Sequence, residues 1–362
     1  MPRGQIAVPL RPVSENPEPL RDSCAKSRHI EACLNEPVEY VKSAGFDAWE
    51  FDNQALPELV LGAIDLCVTF AGKALQAPLM IAPMTGGTAQ GLAINRILAA
   101  AAQRFGLAMG VGSQRIALED VAAERYFRVR DLAPDVLLFA NFGAGQLARG
   151  WGAGHARRAI AMIGADAVFI HFNAVQEAIQ GGDRDFRGLG TALTGLCREL
   201  AADAIPVFAR EVCFGLSVEA ARMLVECGVQ GIDCSGAGGT SWAKVEACCA
   251  PPGRRREAGL RFGEWGIPTA RSIRNVRAVS GSIPLIASGG LRSGIDLAKA
   301  LALGADVGAM GRPMLLEAAR GEGALHAFIE DVLDDLRTCM FATASATPAG
   351  LRGRLHRAEE PA

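Results

Sequence analysis

His171, Asn173, Gln176 and Glu177 fall in one short stretch, after an apolar run that otherwise offers nothing to bind. Residues two apart on a strand project to the same side, so His171 and Asn173 share a face, with Gln176 and Glu177 just past the strand end. A lone histidine is more often a satisfied structural residue than a catalyst, but three polar neighbours at one strand end favour a functional role. Glu177 is a candidate ligand for Mg2+ bridged to substrate phosphates, since that ion takes one or two carboxylates together with phosphate oxygens. Arg210 lies on a later apolar run, where a buried cation would stabilise negative charge at the N1/C2 edge of a reduced flavin. A structural pair of Arg210 with Glu211 is the competing role, and it is weakened because adjacent strand residues face opposite ways. Two glycine-rich turns, 288–294 and 308–313, each carry an arginine, Arg292 and Arg312. Their glycines let backbone N–H groups approach a phosphate near a helix N-terminus. One Gly-Gly pair alone would read as a tight turn; two such loops with arginines favour phosphate. The stretch 182–186 reads as a charged loop without a catalytic role, and Arg254 to Arg256 as a solvated insertion that could serve as a lid over an anionic ligand.

These residues act together only if strand ends meet at one rim. From Pro78 onward a pattern recurs: a short apolar run, a turn rich in Gly, Ser, Thr or Asn, then an Ala/Leu-rich helical stretch. The runs predict eight strands, at 79–83, 108–112, 136–141, 167–173, 206–212, 231–235, 284–288 and 307–311. They are apolar almost throughout, which suits parallel strands covered outside by helices and inside by one another. An open doubly wound sheet is the competitor, but eight strands over about 230 residues match the usual size of a barrel. The expected class is α/β, a (β/α)8 TIM barrel with an N-terminal extension. A flexible segment is predicted over residues 1–22, which carry five prolines, then the barrel with a helical extension over 23–345 and a tail over 346–362.

The 37 basic and 39 acidic residues leave a formal net charge of −2. No long-range field favours nucleic acid or an anionic membrane, so the expected partner is small and any anionic ligand is met by local charge. Ten cysteines are scattered, several inside apolar runs, and no pair has C-x-x-C spacing. Reduced core thiols are expected rather than a disulfide framework or structural zinc. The N-terminus lacks an apolar signal core, and no apolar run reaches the roughly 18 residues that span a bilayer, so a cytoplasmic protein is expected.

Together the stretches HIEACL, APMTGGT, VGSQR, HFNAVQEAIQGGDRDFRG, IDCSGAGGTSWAKVE, GIPTA, ASGGLRSGIDLAKALALGAD and GRP resemble the type 2 isopentenyl diphosphate isomerases, FMN-dependent barrel enzymes. The resemblance runs from about Lys26 to the region of Leu336 and Arg337. It implies isomerisation of a homoallylic diphosphate to its allylic isomer on reduced FMN, with the flavin relaying protons, no net redox change, and NADPH serving only as the flavin's reductant. A homo-oligomer, tetramer or larger, is implied as well. Carried over by position, the FMN contacts are Met84, Thr85, Gly86, Ser113, Asn141 and Arg210, then Thr240, Gly290, Leu291, Arg292, Gly311 and Arg312. Substrate diphosphate is expected on Lys26, Ser113, Gln114, Arg115 and Gln176, with Mg2+ on Glu177 and catalytic roles for His171, Asn173, Gln176 and Arg210. Three positions depart from the family pattern. An Arg-Lys pair becomes Ala25-Lys26, removing a diphosphate-binding cation for which Arg28 and the run Arg254 to Arg256 are the candidate substitutes. A flavin-contacting lysine becomes Arg210, which keeps the charge but is not a usable proton donor. A glycine becomes Cys213, adding a side chain near the flavin or substrate face.

Three functions compete. The isomerase is favoured by the intact cluster from His171 to Glu177. A diverged FMN-dependent oxidoreductase acting on a different, specialised-metabolite substrate is motivated by Ala25, Arg210 and Cys213, and predicts net electron transfer. A non-enzymatic scaffold has no use for so many polar rim groups, and would be marked by failure to take up FMN.

Overall fold

The computed structural model describes residues 21–358. The lead-in expected over 1–22 lies outside the described residues up to residue 20, while Arg21 and Asp22 open a helix, Arg21–Asn35. Eight parallel strands close a barrel: β1 (Leu79–Ile81), β2 (Ala108–Gly110), β3 (Leu138–Gly143), β4 (Ala167–Phe172), β5 (Val207–Glu211), β6 (Gly231–Asp233), β7 (Leu285–Ser288) and β8 (Val307–Met310). β8 pairs with β1 to seal it, Met310 opposite Ile81. Helices fill the crossovers, as the (β/α)8 class requires. Several helices begin where the sequence supplies a cap: Thr88, Ser217, Ser241 and Ser293 each accept a backbone N–H of the first turn. Such caps stabilise a helix by about 1 kcal/mol each.

Alternation along the strands separates two cores. Leu79, Ile81, Met109, Leu138, Val168, Ile170 and Ala209 face outward and pack under the helices. Met80, Phe139, Phe169, Phe208, Ile286 and Val307 fill the barrel interior. Phe139 and Phe169 stack at 4.3 Å, and Phe208 meets Phe139 edge-on at 5.2 Å. Below this layer a hairpin, Val68–Phe70 with Lys73–Leu75, brings Phe70 and Leu75 to the same interior cluster.

At the N-terminal face the chain makes one clamp twice, four strands apart. Asp166 accepts the backbone N–H of Leu138 at 2.9 Å and Arg130 Nη2 at 2.9 Å, while Arg130 Nε donates to the carbonyl of Gly164 at 2.9 Å. Asp306 accepts the backbone N–H of Leu285 at 2.9 Å and Arg277 Nη2 at 2.9 Å, while Arg277 Nε donates to the carbonyl of Gly304 at 2.7 Å.

The segment expected as a tail from residue 346 is part of the fold through residue 358. Leu355–Arg357 pairs antiparallel with Trp49–Phe51, and Leu351 is fully buried in the main core. Arg254 to Arg256, expected in a loop, begin a helix, Arg254–Arg261, that packs on the helix Trp242–Cys249. Among the described residues no helix is long and apolar enough to cross a membrane.

Candidate active site

One step above the phenylalanine layer, the inward positions turn polar: Asn141, His171, Arg210, Asp233 and Ser288. Because Phe169 and Phe208 point inward, so do His171 and Arg210, and the strand register sets His171 beside Arg210 and Arg210 beside Asp233. Arg210 is buried and its Nη1 donates to Asp233 Oδ2, so the pair with Glu211 is not made. Glu211 faces the other way and accepts the backbone N–H of Cys213 at 2.8 Å. Burial pushes the Asp233 carboxyl up, but three donors oppose that: the guanidinium, Ser288 Oγ at 2.6 Å and the backbone N–H of Ser235 at 3.2 Å. With donors on every side, Asp233 is a carboxylate holding a permanent cation over the Phe169 ring, 5.7 Å from its centroid.

His171 is pushed down to about 3, first by burial and then by the positive charges of Arg210, Lys26 and Arg115. It is therefore neutral near pH 7. Asn141 Nδ2 donates to the carbonyl of Val111, which leaves Asn141 Oδ1 to accept from His171 Nδ1 at 2.8 Å. That tautomer leaves His171 Nε2 as an acceptor. A side chain at Gly143 would lie 2.9 Å from Nε2, so the glycine clears that edge of the ring.

β4 ends at Phe172, and the turn after it, rather than the strand, positions Asn173. Asn173 Nδ2 donates to Gln176 Oε1 at 3.2 Å and Glu177 Oε1 at 2.9 Å. Gln176 Nε2 donates to Glu246 Oε1 at 2.8 Å, and His29 Nε2 lies 3.1 Å from the same oxygen. Glu177 Oε2 accepts the backbone N–H of Asp183 at 2.8 Å, so the charged stretch 182–186 supports the cluster. The sequence reading missed Asp233, Glu246, His29 and Glu39. The one acid of the helix Trp242–Cys249, whose only other charged residue is Lys244, was the available signal for Glu246.

Gln114 stands apart from its neighbours. It is fully buried, its Nε2 donates to the carbonyl of Ala159 at 2.9 Å and its Oε1 accepts the backbone N–H of Asn141 at 2.9 Å. Its side-chain amide is engaged in joining the β2 turn to β3 and to the helix Ala153–Ile163. The neighbouring Ser113 and Arg115 do line the cavity, as do Thr85 and Gly86.

That cavity holds about 660 Å³ at the C-terminal ends of the strands. A narrower lobe continues from it, the two sharing Met84, Arg210, Val212 and Trp242. Thr240, Gly290, Leu291, Arg292, Gly311 and Arg312 all line the second lobe. The loops after β6 and β7 press backbone to backbone there: Gly290 has φ +80, and a Cβ on it would lie 2.7 Å from the carbonyl carbon of Gly238. Arg312 Nη1 and Arg292 Nη2 stand 3.3 and 3.4 Å from Glu39 Oε1, two cations against one carboxylate. A cradle of glycine backbone with excess positive charge fits the phosphate tail of a flavin mononucleotide, and the wider lobe has room for its ring. Among the described residues no three His, Cys, Asp or Glu side chains converge as a metal cage. Glu177 offers one carboxylate, which fits a Mg2+ held mainly by phosphate oxygens and water. Cys213 reaches the second lobe, where the backbone N–H of Trp242 donates to its sulfur at 3.3 Å; burial and Glu211 raise its thiol well above the ordinary range, so it stays protonated.

Residues 33–133 and 205–357 match the FMN-dependent dehydrogenase family. An isopentenyl-diphosphate delta-isomerase from Xanthobacter autotrophicus is 49% identical over 330 residues, covering 90% of this chain and 95% of that protein. One from a Synechococcus strain is 47% identical over 329 residues, covering 90% and 94%. The fold is shared with a variant of an (S)-mandelate dehydrogenase chimera, at TM-score 0.61 and 18% identity over 92% of this chain and 97% of that one. It is shared also with a mandelate oxidase variant carrying a monooxide FMN adduct, at TM-score 0.59 and 18% identity, covering 91% of each chain. The barrel, the glycine cradle and these relatives place the chain in the FMN-dependent dehydrogenase family and, within it, among the isopentenyl-diphosphate delta-isomerases.

Proposed function

We propose that the chain is a type 2 isopentenyl-diphosphate isomerase, converting isopentenyl diphosphate to dimethylallyl diphosphate with reduced FMN and Mg2+, and with NADPH as the flavin's reductant. The observation that carries this reading is the junction of two lobes at Arg210, one lined by the glycine cradle and the other by the cluster from His171 to Glu177. The flavin supplies a reduced ring able to carry a proton. Arg292 and Arg312, with the backbone at Gly290 and Gly311, hold its phosphate; Met84, Thr85, Gly86, Ser113, Asn141, Thr240 and Leu291 flank the rest. Lys26, Ser113 and Arg115 hold the substrate diphosphate, with Mg2+ on Glu177. The reaction places one proton on the terminal methylene carbon and removes one from C2, so no electrons are gained or lost. Neutral His171 cannot deliver that proton, and Arg210 does not release one at any accessible pH. Their work is positional: Arg210 keeps a fixed positive charge beside a reduced ring, while Asn173 and Glu246 fix the amide of Gln176 at the reacting face. The reading includes a homo-oligomer working in the cytoplasm.

Arg210, anchored by Asp233, and Cys213 at the lobe junction favour one alternative, an FMN-dependent oxidoreductase on another substrate. One anaerobic experiment separates the two. FMN-loaded, fully reduced protein with Mg2+ and isopentenyl diphosphate is expected to give dimethylallyl diphosphate while the flavin spectrum stays reduced over many turnovers. Absence of product from fully reduced protein removes the isomerase reading; flavin oxidised in step with substrate consumed establishes the alternative.

A further inference from the structure

The run Arg254 to Arg256 is a helix start whose middle residue, Arg255, lines the wide lobe with Lys26, Arg28 and Arg115. Its position is set by topology. Lys26 Nζ donates to the carbonyl of Ser113 at 2.7 Å, which places it with Arg115 above β2. Arg255 arrives from the connection after β6, and strands four apart in an eight-stranded barrel face each other across the axis. Positive charge therefore flanks the cavity from opposite sides.

The other cations of the wall are engaged. Arg149 Nε holds Asp183 at 3.0 Å, and Arg210 holds Asp233. Arg255 Nη2 stands 3.9 Å from Glu246 Oε2, with its side chain 51% exposed. At that length, with the arginine half exposed although Glu246 is buried, the contact is weak and does not commit the guanidinium. A planar donor fork on a side chain able to swing suits a terminal phosphoryl group, which it grips through two parallel hydrogen bonds.

We propose that Arg255 is a specificity residue that grips the substrate's diphosphate from the β6 side, opposite Lys26 and Arg115. The proposal rests on the isomerase reading and names one residue of its substrate clamp. In the FMN-loaded enzyme, Arg255→Gln raises KM for isopentenyl diphosphate about tenfold and lowers kcat far less, as loss of one charge-assisted contact requires. Calorimetry with inorganic diphosphate and Mg2+ shows a matching loss of affinity, Arg255→Lys recovers part of it, and FMN content is unchanged. Arg256→Gln, an exposed neighbour outside the cavity lining with the same charge change, leaves KM where it was. Unchanged KM and diphosphate affinity in Arg255→Gln overturn the proposal and leave the isomerase reading standing. A wild-type protein that fails to isomerise, while Arg255→Gln still weakens diphosphate binding, overturns the reading and leaves the anion clamp.

Discussion

Arg210 owes its place to Asp233, and each compensates the other's buried charge. Removing one partner of a buried pair strands an uncompensated charge, whereas replacing both by apolar side chains is often neutral. Asp233→Asn is expected to lower the unfolding free energy by about 3–5 kcal/mol. Combining Asp233→Leu with Arg210→Met restores most of it, read from chemical denaturation of all three proteins. A loss below about 1 kcal/mol for Asp233→Asn would mean that the guanidinium finds another partner and that the pair is not what fixes it. The sequence made Arg210 visible as a cation in an apolar run, and proximity suggested Glu211. Asp233 was illegible as its partner because the pairing depends on the register between β5 and β6. The cluster from His171 to Glu177 was legible because one strand end and the first turn of the helix after it carry all of it; the place of the Gln114 side chain was not, since an amide serving the backbone looks the same in sequence as one serving a ligand.

At the scale of elements, the loops after β6 and β7 show how little freedom the cradle has. Gly290 combines φ +80 with a Cβ position 2.8 Å from the Ala44 side chain and 2.7 Å from the backbone of Gly238. Gly290→Ala adds about 1–2 kcal/mol of left-handed strain to a backbone overlap that only movement of the loop relieves. Purified Gly290→Ala is expected to keep its helix and strand content by circular dichroism but to hold FMN at least tenfold more weakly, measured by flavin fluorescence. Normal flavin affinity would show that the cradle is not at this turn. All eight strands were legible, their starts within two residues of those observed, because buried parallel strands write themselves as apolar runs. The hairpin 68–75 and the pairing of Leu355–Arg357 with Trp49–Phe51 were not, because each is short and owes its place to contacts distant in sequence.

Over the whole molecule, pH acts through a carboxyl on the far side of β5 from the cavity. Glu211 is raised from 4.5 to about 8, because burial outweighs the backbone N–H groups that favour its charge. The folded state thus keeps a proton that the unfolded chain releases, and the stability this lends is present at low pH and lost as pH rises from about 4.5 through 8. His171 acts in the opposite sense but only below its ordinary value of 6.5. Thermal midpoints are therefore expected to fall between pH 6.5 and 8, and Glu211→Gln is expected to flatten that slope; an equal slope in both proteins would assign it elsewhere. The helix Arg21–Asn35 supplies Lys26, Arg28 and His29, yet the groups they meet are the carbonyls of Ser113 and Cys249 and the carboxylate of Glu246. A ribosome therefore releases the roof of the pocket long before its walls, and β8 must emerge to shut the barrel beneath it. No partly made chain owns a working pocket; chemistry begins only when the helix Arg21–Asn35 docks on turns made after it and β8 closes the barrel.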